Sequence, residues 1–451
     1  MSRITFILSD LHLADGHTIL DGFGDVQQAA FEGLLAAACT AGPLGLADDV
    51  ELIINGDCFD FLATSPFTPE GISDVPMAQA KLRKIIDAHG PFFATLHRFI
   101  TTPGRHITFI TGNHDIELCF EEIRVQIYAA IGIPFDDQRV FFCPTRFYRP
   151  MPDVYIEHGN YYDFWNHAMA GLWDEQGNSF NLRPETITLP VGSHYFQHAA
   201  YPISLQYAYF DHVEPSMNSM RQIALLCLLD PKIVMETARL TIQMLSEPHP
   251  ALMDLAPGDE YVPVKLFEQA MITFFHFHQD MMARKKDWVE PGGSEARERT
   301  QAQTMMEHLM LREALTLHEV EAVATICTPA TYIMGEDVAR GMHAILTHDS
   351  SLRYAIAGHT HMVRINPVSI SSGTQSYLNT GSWTARMALP APGEVNKELV
   401  EWLKEPDYAH NPLRDVTQFS FALVNSTPGG SSSASLCAWE GGSKGSYRVL
   451  A

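Results

Sequence analysis

Over the first 160 residues and the last hundred, short apolar or β-branched runs stop abruptly at clusters of Asp, Asn, His and Gly. Ile4–Leu8 runs into Ser9-Asp10-Leu11-His12, and Val50–Ile54 into Asn55-Gly56-Asp57-Cys58-Phe59-Asp60. Ile107–Thr111 meets Gly112-Asn113-His114-Asp115, and Val154–Ile156 meets Glu157-His158-Gly159-Asn160. Much later, Tyr354–Ala357 leads to Gly358-His359-Thr360-His361, and Ser376–Leu378 to Asn379-Thr380-Gly381-Ser382-Trp383. Near-continuous apolar runs of roughly five residues are the signature of strands buried on both faces. Helical patterns lie between them, at Gln27–Ala38 and Ala78–Ile100. Strand, polar loop, helix, strand predicts an α/β sheet, and open sheets of this kind bind ligands outside the carboxyl ends of their strands. The polar clusters sit at those ends.

The middle of the chain has another pattern. Asp230-Pro231 supplies a capping carboxylate and a proline for the first helical position, and Val234, Ala238, Ile242 and Leu245 keep helical spacing. Lys265–Arg284 and Ala296–Thr325 also read as helices, separated by Pro291-Gly292-Gly293. The expected organisation is a core of residues 1–163 and 350–451, interrupted by a mostly helical insertion, a cap or lid, over 164–349. Near the C-terminus, Gln418–Val424 and Ala434–Trp439 flank the Gly/Ser-rich stretch Thr427–Ser433 and predict a hairpin.

Composition narrows the function classes. The 451 residues are 46% hydrophobic, which excludes wholesale disorder and collagen-like repeats. No apolar run approaches the roughly 18 residues that span a bilayer, so no integral membrane association is expected. The 30 basic against 53 acidic residues give a net charge of −23, which repels phosphate backbones and makes a nucleic-acid partner unexpected. Cys39, Cys58, Cys119, Cys143, Cys227, Cys327 and Cys437 are scattered and form no Cys-x-x-Cys pair, which fits a reducing compartment. The apolar run after Arg3 ends at Asp10, too short for a signal peptide, so the expected location is cytoplasmic.

The strand-end clusters carry the chemistry. Asp10, His12, Asp57, Asn113, His158, His359 and His361 are oxygen and imidazole donors, a mixture that suits Mn, Fe and Zn. Seven is about what two divalent ions need when one carboxylate bridges them and water completes each shell. Taken singly, each motif is weak, since a strand-end Asp is more often a turn former or helix cap. Five clusters in fixed order, each after an apolar strand, are far more specific.

The order Asp10-x-His12, Gly56-Asp57-x-x-Asp60, Gly112-Asn113-His114-Asp115, His158-Gly159, Gly358-His359-x-His361 resembles the calcineurin-like metallophosphoesterase superfamily. The resemblance covers the β-rich parts, about half the chain, and leaves the insertion unmatched. It implies an αββα sandwich of two mixed β-sheets flanked by helices, with a dinuclear site at one edge. It also implies that Asp10, His12 and His361 hold one metal, that Asn113, His158 and His359 hold the other, and that Asp57 bridges. His114 stays unligated and acts as general acid, or as a positive charge on the leaving oxygen, with Asp60 or Asp115 orienting its ring. The implied activity is hydrolysis of a phosphomonoester or phosphodiester by metal-bound hydroxide.

Departures from family patterns narrow the substrate. The superfamily's protein Ser/Thr phosphatases carry Arg-Gly where this chain has Phe61-Leu62 after Asp60. Its lipid-A-pathway pyrophosphatases carry Arg where this chain has His114, and its nucleases usually need a basic surface. A small or lipid-like phosphate ester remains as the expected substrate. The competing readings are a catalytically silent binding protein on the same fold and a lipid-directed nucleotide-sugar pyrophosphatase.

Weaker features have ordinary explanations. Met271, Met281, Met282, Met305, Met306, Met310, Met334 and Met342 read as helical core before they read as an acyl-binding lid. His194 and His198, four apart, lack a third ligand nearby and read as structural or pocket histidines, as do His276 and His278 beside Phe274–Phe277. Tyr161, Tyr162 and Asp163 follow His158 and are expected to edge the pocket or pack beneath it. Arg284-Lys285-Lys286 is a solvated helix end. Trp383 could shield the metals but has no chemical role.

Overall fold

The computed structural model describes residues 3–17, 21–40, 44–45, 47–68, 71–163, 166, 184–214, 229–230, 232, 333–370, 373–388, 394–426, 430–441 and 446–450. The helices expected from Pro231 onward, at Lys265–Arg284 and at Ala296–Thr325, lie outside the described residues. So do Met271, Met281, Met282, Met305, Met306, Met310, His276, His278 and the Arg284–Lys286 run.

The strands in chain order are β1 Arg3–Leu8, β2 Asp49–Asn55, β3 Ile72–Asp74, β4 Arg105–Ile110, β5 Val140–Phe142, β6 Phe147–Met151, β7 Val154–Glu157, β8 Thr186–Thr188 and β9 Val213–Glu214. They continue with β10 Tyr354–Ala357, β11 Val363–Ile370, β12 Gly373–Thr380, β13 Met387–Ala388, β14 Arg414–Asp415, β15 Ser420–Ser426, β16 Ser433–Gly441 and β17 Ser446–Val449. Helices used below are α1 Asp25–Cys39, α2 Val75–Ala88, α3 Gly90–Thr101, α4 Glu121–Ile131, α5 Val191–Tyr195, α6 Tyr201–Gln206, α7 Tyr209–His212, α8 Ile333–His348 and α9 Lys397–Lys404.

The chain divides into two compact units. One comprises Met1–His198, Ile333–Ala385 and Thr417–Ala451; the other comprises Ala199–Tyr332 and Arg386–Val416. These limits differ from the insertion drawn at 164–349. The described segment 184–198 and helix α8 belong to the first unit, and 386–416 to the second. The described part of 164–349 is also not wholly helical, since it contains β8 and β9.

In the first unit, two mixed sheets carry the fold. A seven-stranded sheet runs β17-β16-β15-β1-β2-β4-β5, and a five-stranded sheet runs β11-β12-β10-β7-β6. The pairs β1–β2, β2–β4 and β4–β5 are parallel, as are β7–β10 and β10–β12. The C-terminal strands β15 and β16 form the expected antiparallel hairpin, and β15 adds antiparallel to β1.

Alternation along each strand explains the layers. Phe6, Leu8, Leu52, Ile54, Ile107 and Phe109 face one side, where they pack with residues of α1 to α4. Ile7, Ile53 and Ile110 face the other, where they meet Val154, Ile156, Ile356 and Leu378 of the second sheet. On that sheet's outer face Tyr155, Ala355 and Ala357 pack against Val338, Met342 and Leu346 of α8. Both faces of both central sheets are therefore buried, as their near-continuous apolar runs require.

The single helix expected over Ala78–Ile100 is two helices, α2 and α3. Pro91 stands in the first turn of α3, where its missing N–H costs nothing, and His89 leaves helical geometry at φ −113°, ψ 35°. In the second unit, Asn396 caps α9 by accepting from the Leu399 N–H at 2.9 Å. Buried Tyr209 donates its hydroxyl to the Leu403 carbonyl and stacks near Trp402. A small sheet there pairs β14, β13 and β9.

Candidate metal centre

Parallel strands deliver their carboxyl ends to one edge of each sheet, so the loops after β1, β2, β4, β7 and β10 converge. The backbone there is unusual. Asp10, His12, Asp57, His359 and His361 all take positive φ, between 50° and 68°, and the only other described non-glycine residue to do so is Asp136. Asp and His tolerate this left-handed region better than most residues, but each such turn still costs conformational energy. Five strained positions in one place are held by surrounding bonds. Leu11 and His12 N–H both donate to the Asp57 carbonyl, and Leu13 N–H to that of Cys58. The Asp10 carbonyl accepts from Trp383 N–H and from the Ser382 hydroxyl.

Two glycines let the loops close up. A Cβ on Gly56, itself at φ +81°, would lie 2.3 Å from His158 Nδ1, and one on Gly112 would lie 2.1 Å from Asp57 Oδ1. Any side chain at either place would displace a candidate ligand.

The result is two clusters of donor atoms. Asp10, His12 and His361 bring one ligand atom each within 4.8 Å of one another, and so do Asp57, His158 and His359. The Nε2 atoms of His12 and His361 face each other at 3.1 Å, with Asp10 Oδ1 3.3 Å from His361. Asp57 Oδ2 stands 3.1 Å from His158 Nε2 and 3.8 Å from His12 Nε2, so it faces both clusters. Its other oxygen accepts from the His114 backbone N–H at 2.8 Å.

The second nitrogen of the imidazoles is tied back. His12 Nδ1 meets Asp60 Oδ2 at 3.0 Å, His158 Nδ1 meets the Asn55 carbonyl at 2.8 Å, and His359 Nε2 meets Asp163 Oδ2 at 3.1 Å. Such partners fix tautomer and ring orientation in metal-binding histidines. Asn113 Oδ1 is buried without a hydrogen-bond partner among the described residues, an arrangement that buried polar atoms rarely adopt unless something else binds them.

A third group joins His12, Asp60 and His114. His114 Nδ1 lies 3.0 Å from Asp60 Oδ1, so one carboxylate serves His12 and His114 with its two oxygens. Asp115 does not reach His114. Its oxygens accept instead from the backbone N–H groups of Cys58 and Gly112, and it braces the two loops.

Charge is concentrated here. Burial lowers the proton affinity of His114, but Asp60 and Asp57 outweigh it and push the imidazole up to about 9. Burial opposes His158 likewise, and Asp57 pushes it up to about 10. Asp57 sits well below the usual carboxylate range despite its burial, because His158 and His114 face it. Burial and the Asp57 charge instead lift Asp115 to about 7. The cluster is anionic and draws protons onto its imidazoles.

Six of the seven expected donors, Asp10, His12, Asp57, His158, His359 and His361, therefore fall into these groups, with His114 and Asp60 beside them, and Asn113 is buried next to His114 in the loop after β4. Sequence reasoning gave no role to Asn55, whose carbonyl holds His158, and placed Asp163 only at the pocket edge. Asp163 stands five residues after His158 and could have been singled out as a carboxylate near an imidazole. Trp383 is fully buried in the core and donates its indole N–H to the Ser420 carbonyl. His194 and His198 touch edge to face, with ring centroids 4.6 Å apart.

The chain matches no protein-family model, and no curated protein matches it. Among the described residues, no helix is long and apolar enough to cross a membrane.

Proposed function

We propose that the protein is a dinuclear-metal phosphoesterase with the sandwich fold of the calcineurin-like metallophosphoesterases. The observation that carries this reading is the convergence of two carboxylate–imidazole clusters, both faced by Asp57, beside a His114–Asp60 pair. Asp10, His12 and His361 would hold one cation and Asn113, His158 and His359 the other, with Asp57 shared. The donor set fits Mn, Fe or Zn, and one buried polar atom of that set, Asn113 Oδ1, has no hydrogen-bond partner among the described residues. When bound, such a pair of ions supplies positive charge for phosphate oxygens and acidifies water at neutral pH.

The chain's own groups do the rest. The backbone turns at Asp10, Asp57 and His359 hold the donors in place before any substrate arrives. The Asp60 carboxylate favours the protonated imidazole of His114, and with Nδ1 committed to Asp60 the proton to be given sits on Nε2. Donation to the departing ester oxygen balances hydrolysis: a P–O bond forms to water, the ester P–O bond breaks, and the alcohol leaves neutral. General acids of this kind contribute about two to four powers of ten. Cations and protons compete for the same imidazoles, so loading releases protons and strengthens as pH rises.

The test is a screen of metal-stripped protein reloaded with Mn against a nitrophenyl monoester, a bis-nitrophenyl diester and cyclic nucleotides. Hydrolysis of at least one ester, lost again on chelation, is the expected result. Turnover of none would end the enzyme reading in favour of a binding protein.

A further inference from the structure

One segment outside both donor clusters reaches the acid. β8 pairs antiparallel with β3. Beyond it, Leu189 N–H donates to the Gly71 carbonyl at 2.8 Å, and His198 Nε2 lies 3.1 Å from the Thr68 carbonyl. Gly71, at φ +62°, is flush with the His194 ring, where a Cβ would stand 2.8 Å from the nearest ring atom. These ties fix residues 186–198 against Thr68 and residues 71–74. Within them α5 widens into a π-type turn, Phe196–Ala200. Such turns are rare and are found frequently at functional sites. Phe196 is the first residue of this turn. Its ring lies 5.6 Å from that of His114, centroid to centroid, at 66°. It is half-buried and packs against the hydrophobic core.

Among the described residues, two rings flank His114. His12, at 4.5 Å, is committed to Asp60 and the first cluster. Phe196 has no such duty. An oxygen that receives a proton from His114 Nε2 must sit within hydrogen-bond reach of that atom. The group attached to it then runs close to whatever walls the imidazole. A hydrated alcohol gains nothing from a phenyl ring, whereas a flat apolar group gains an aromatic contact.

Resting on the reading of His114 as the acid, we propose that Phe196 walls the leaving-group side of the site and selects esters whose alcohol carries a flat, apolar portion next to the ester oxygen. Benzyl and methyl esters of phosphate separate this from simple hydrolysis, because their alkoxides are of similar basicity and need the acid equally. With the Mn-loaded full chain, Phe196→Ala is expected to lower kcat/KM for the benzyl ester about tenfold further than for the methyl ester. Phe196→Leu keeps apolar bulk without a flat face, so it protects against misfolding of the alanine variant and should show a loss in the same direction. Equal losses on both esters, or none, would overturn the proposal. Should the wild type hydrolyse neither ester, the fate of the hydrolase reading is decided separately by the nitrophenyl and cyclic-nucleotide screen, and binding of benzylphosphonate against methylphosphonate decides the wall. A preference for the benzyl compound that vanishes in both variants supports it, and no preference in the wild type refutes it.

Discussion

The two sheets contribute unlike chemistry to one edge. Loops of the seven-stranded sheet supply the oxygen donors Asp10, Asp57 and Asn113, together with His12, Asp60 and His114. Loops of the five-stranded sheet supply only imidazoles: His158, His359 and His361. They are braced differently as well. The loops after β1 and β2 hold each other through successive backbone bonds such as His12 N–H to the Asp57 carbonyl. The imidazoles at 158 and 359 hang from partners behind them, the Asn55 carbonyl and the Asp163 carboxylate. Neither sheet holds a complete donor set, so the proposed centre requires the two sheets to pack face to face.

The sharpest way to break this division is to remove the cations. Chelation followed by dialysis is expected to abolish turnover, and Mn to restore it; activity that survives complete stripping, verified by elemental analysis, would contradict the whole scheme. His114→Ala tests the one histidine of the seven-stranded sheet kept outside the donor set. Metal content should stay at the wild-type level while the rate falls by about two to four powers of ten. Near-normal turnover would remove His114 from its role.

The contact between sheets comes next. Ile356 is fully buried among Ile7, Ile53 and Ile156, and Ile356→Ala should destabilise the fold by about 2–5 kcal/mol, read from the denaturation midpoint. A cost below about 1 kcal/mol would mean that the faces are not locked together there. The smallest effect is expected at Asp163. Asp163→Ala should weaken metal retention or activity by roughly 10–100-fold, mainly through His359. Unchanged affinity for both ions would show that the His359 ring needs no carboxylate behind it.

Much of this arrangement is legible along the chain. The apolar runs at Ile4–Leu8, Val50–Ile54 and Tyr354–Ala357 coincide closely with β1, β2 and β10, because strands buried on both faces tolerate almost no polar residue. The donors are legible for a related reason: Asp, Asn, His and Gly at strand ends suit the left-handed turns found there. Short or irregular strands are harder to see. β5, with only Val140, Phe141 and Phe142, carries too few residues for a period to emerge. The break at Gly90-Pro91 is hidden by the apolar periodicity that continues across it. The choice between Asp60 and Asp115 as partner of His114 is also invisible, since both lie within a few residues of a strand end.

Residue type and order, read alone, determined which strands are buried, where they end and which donors stand at those ends. That follows because burial and turn chemistry are local demands that each segment must satisfy by itself. Only the tertiary structure decided that Asp57 faces both clusters, that Asp60 rather than Asp115 holds His114, that Asp163 backs His359 and that Phe196 lies against His114. Each of these joins loops from different strands, and their distances are set by how the sheets and helices pack.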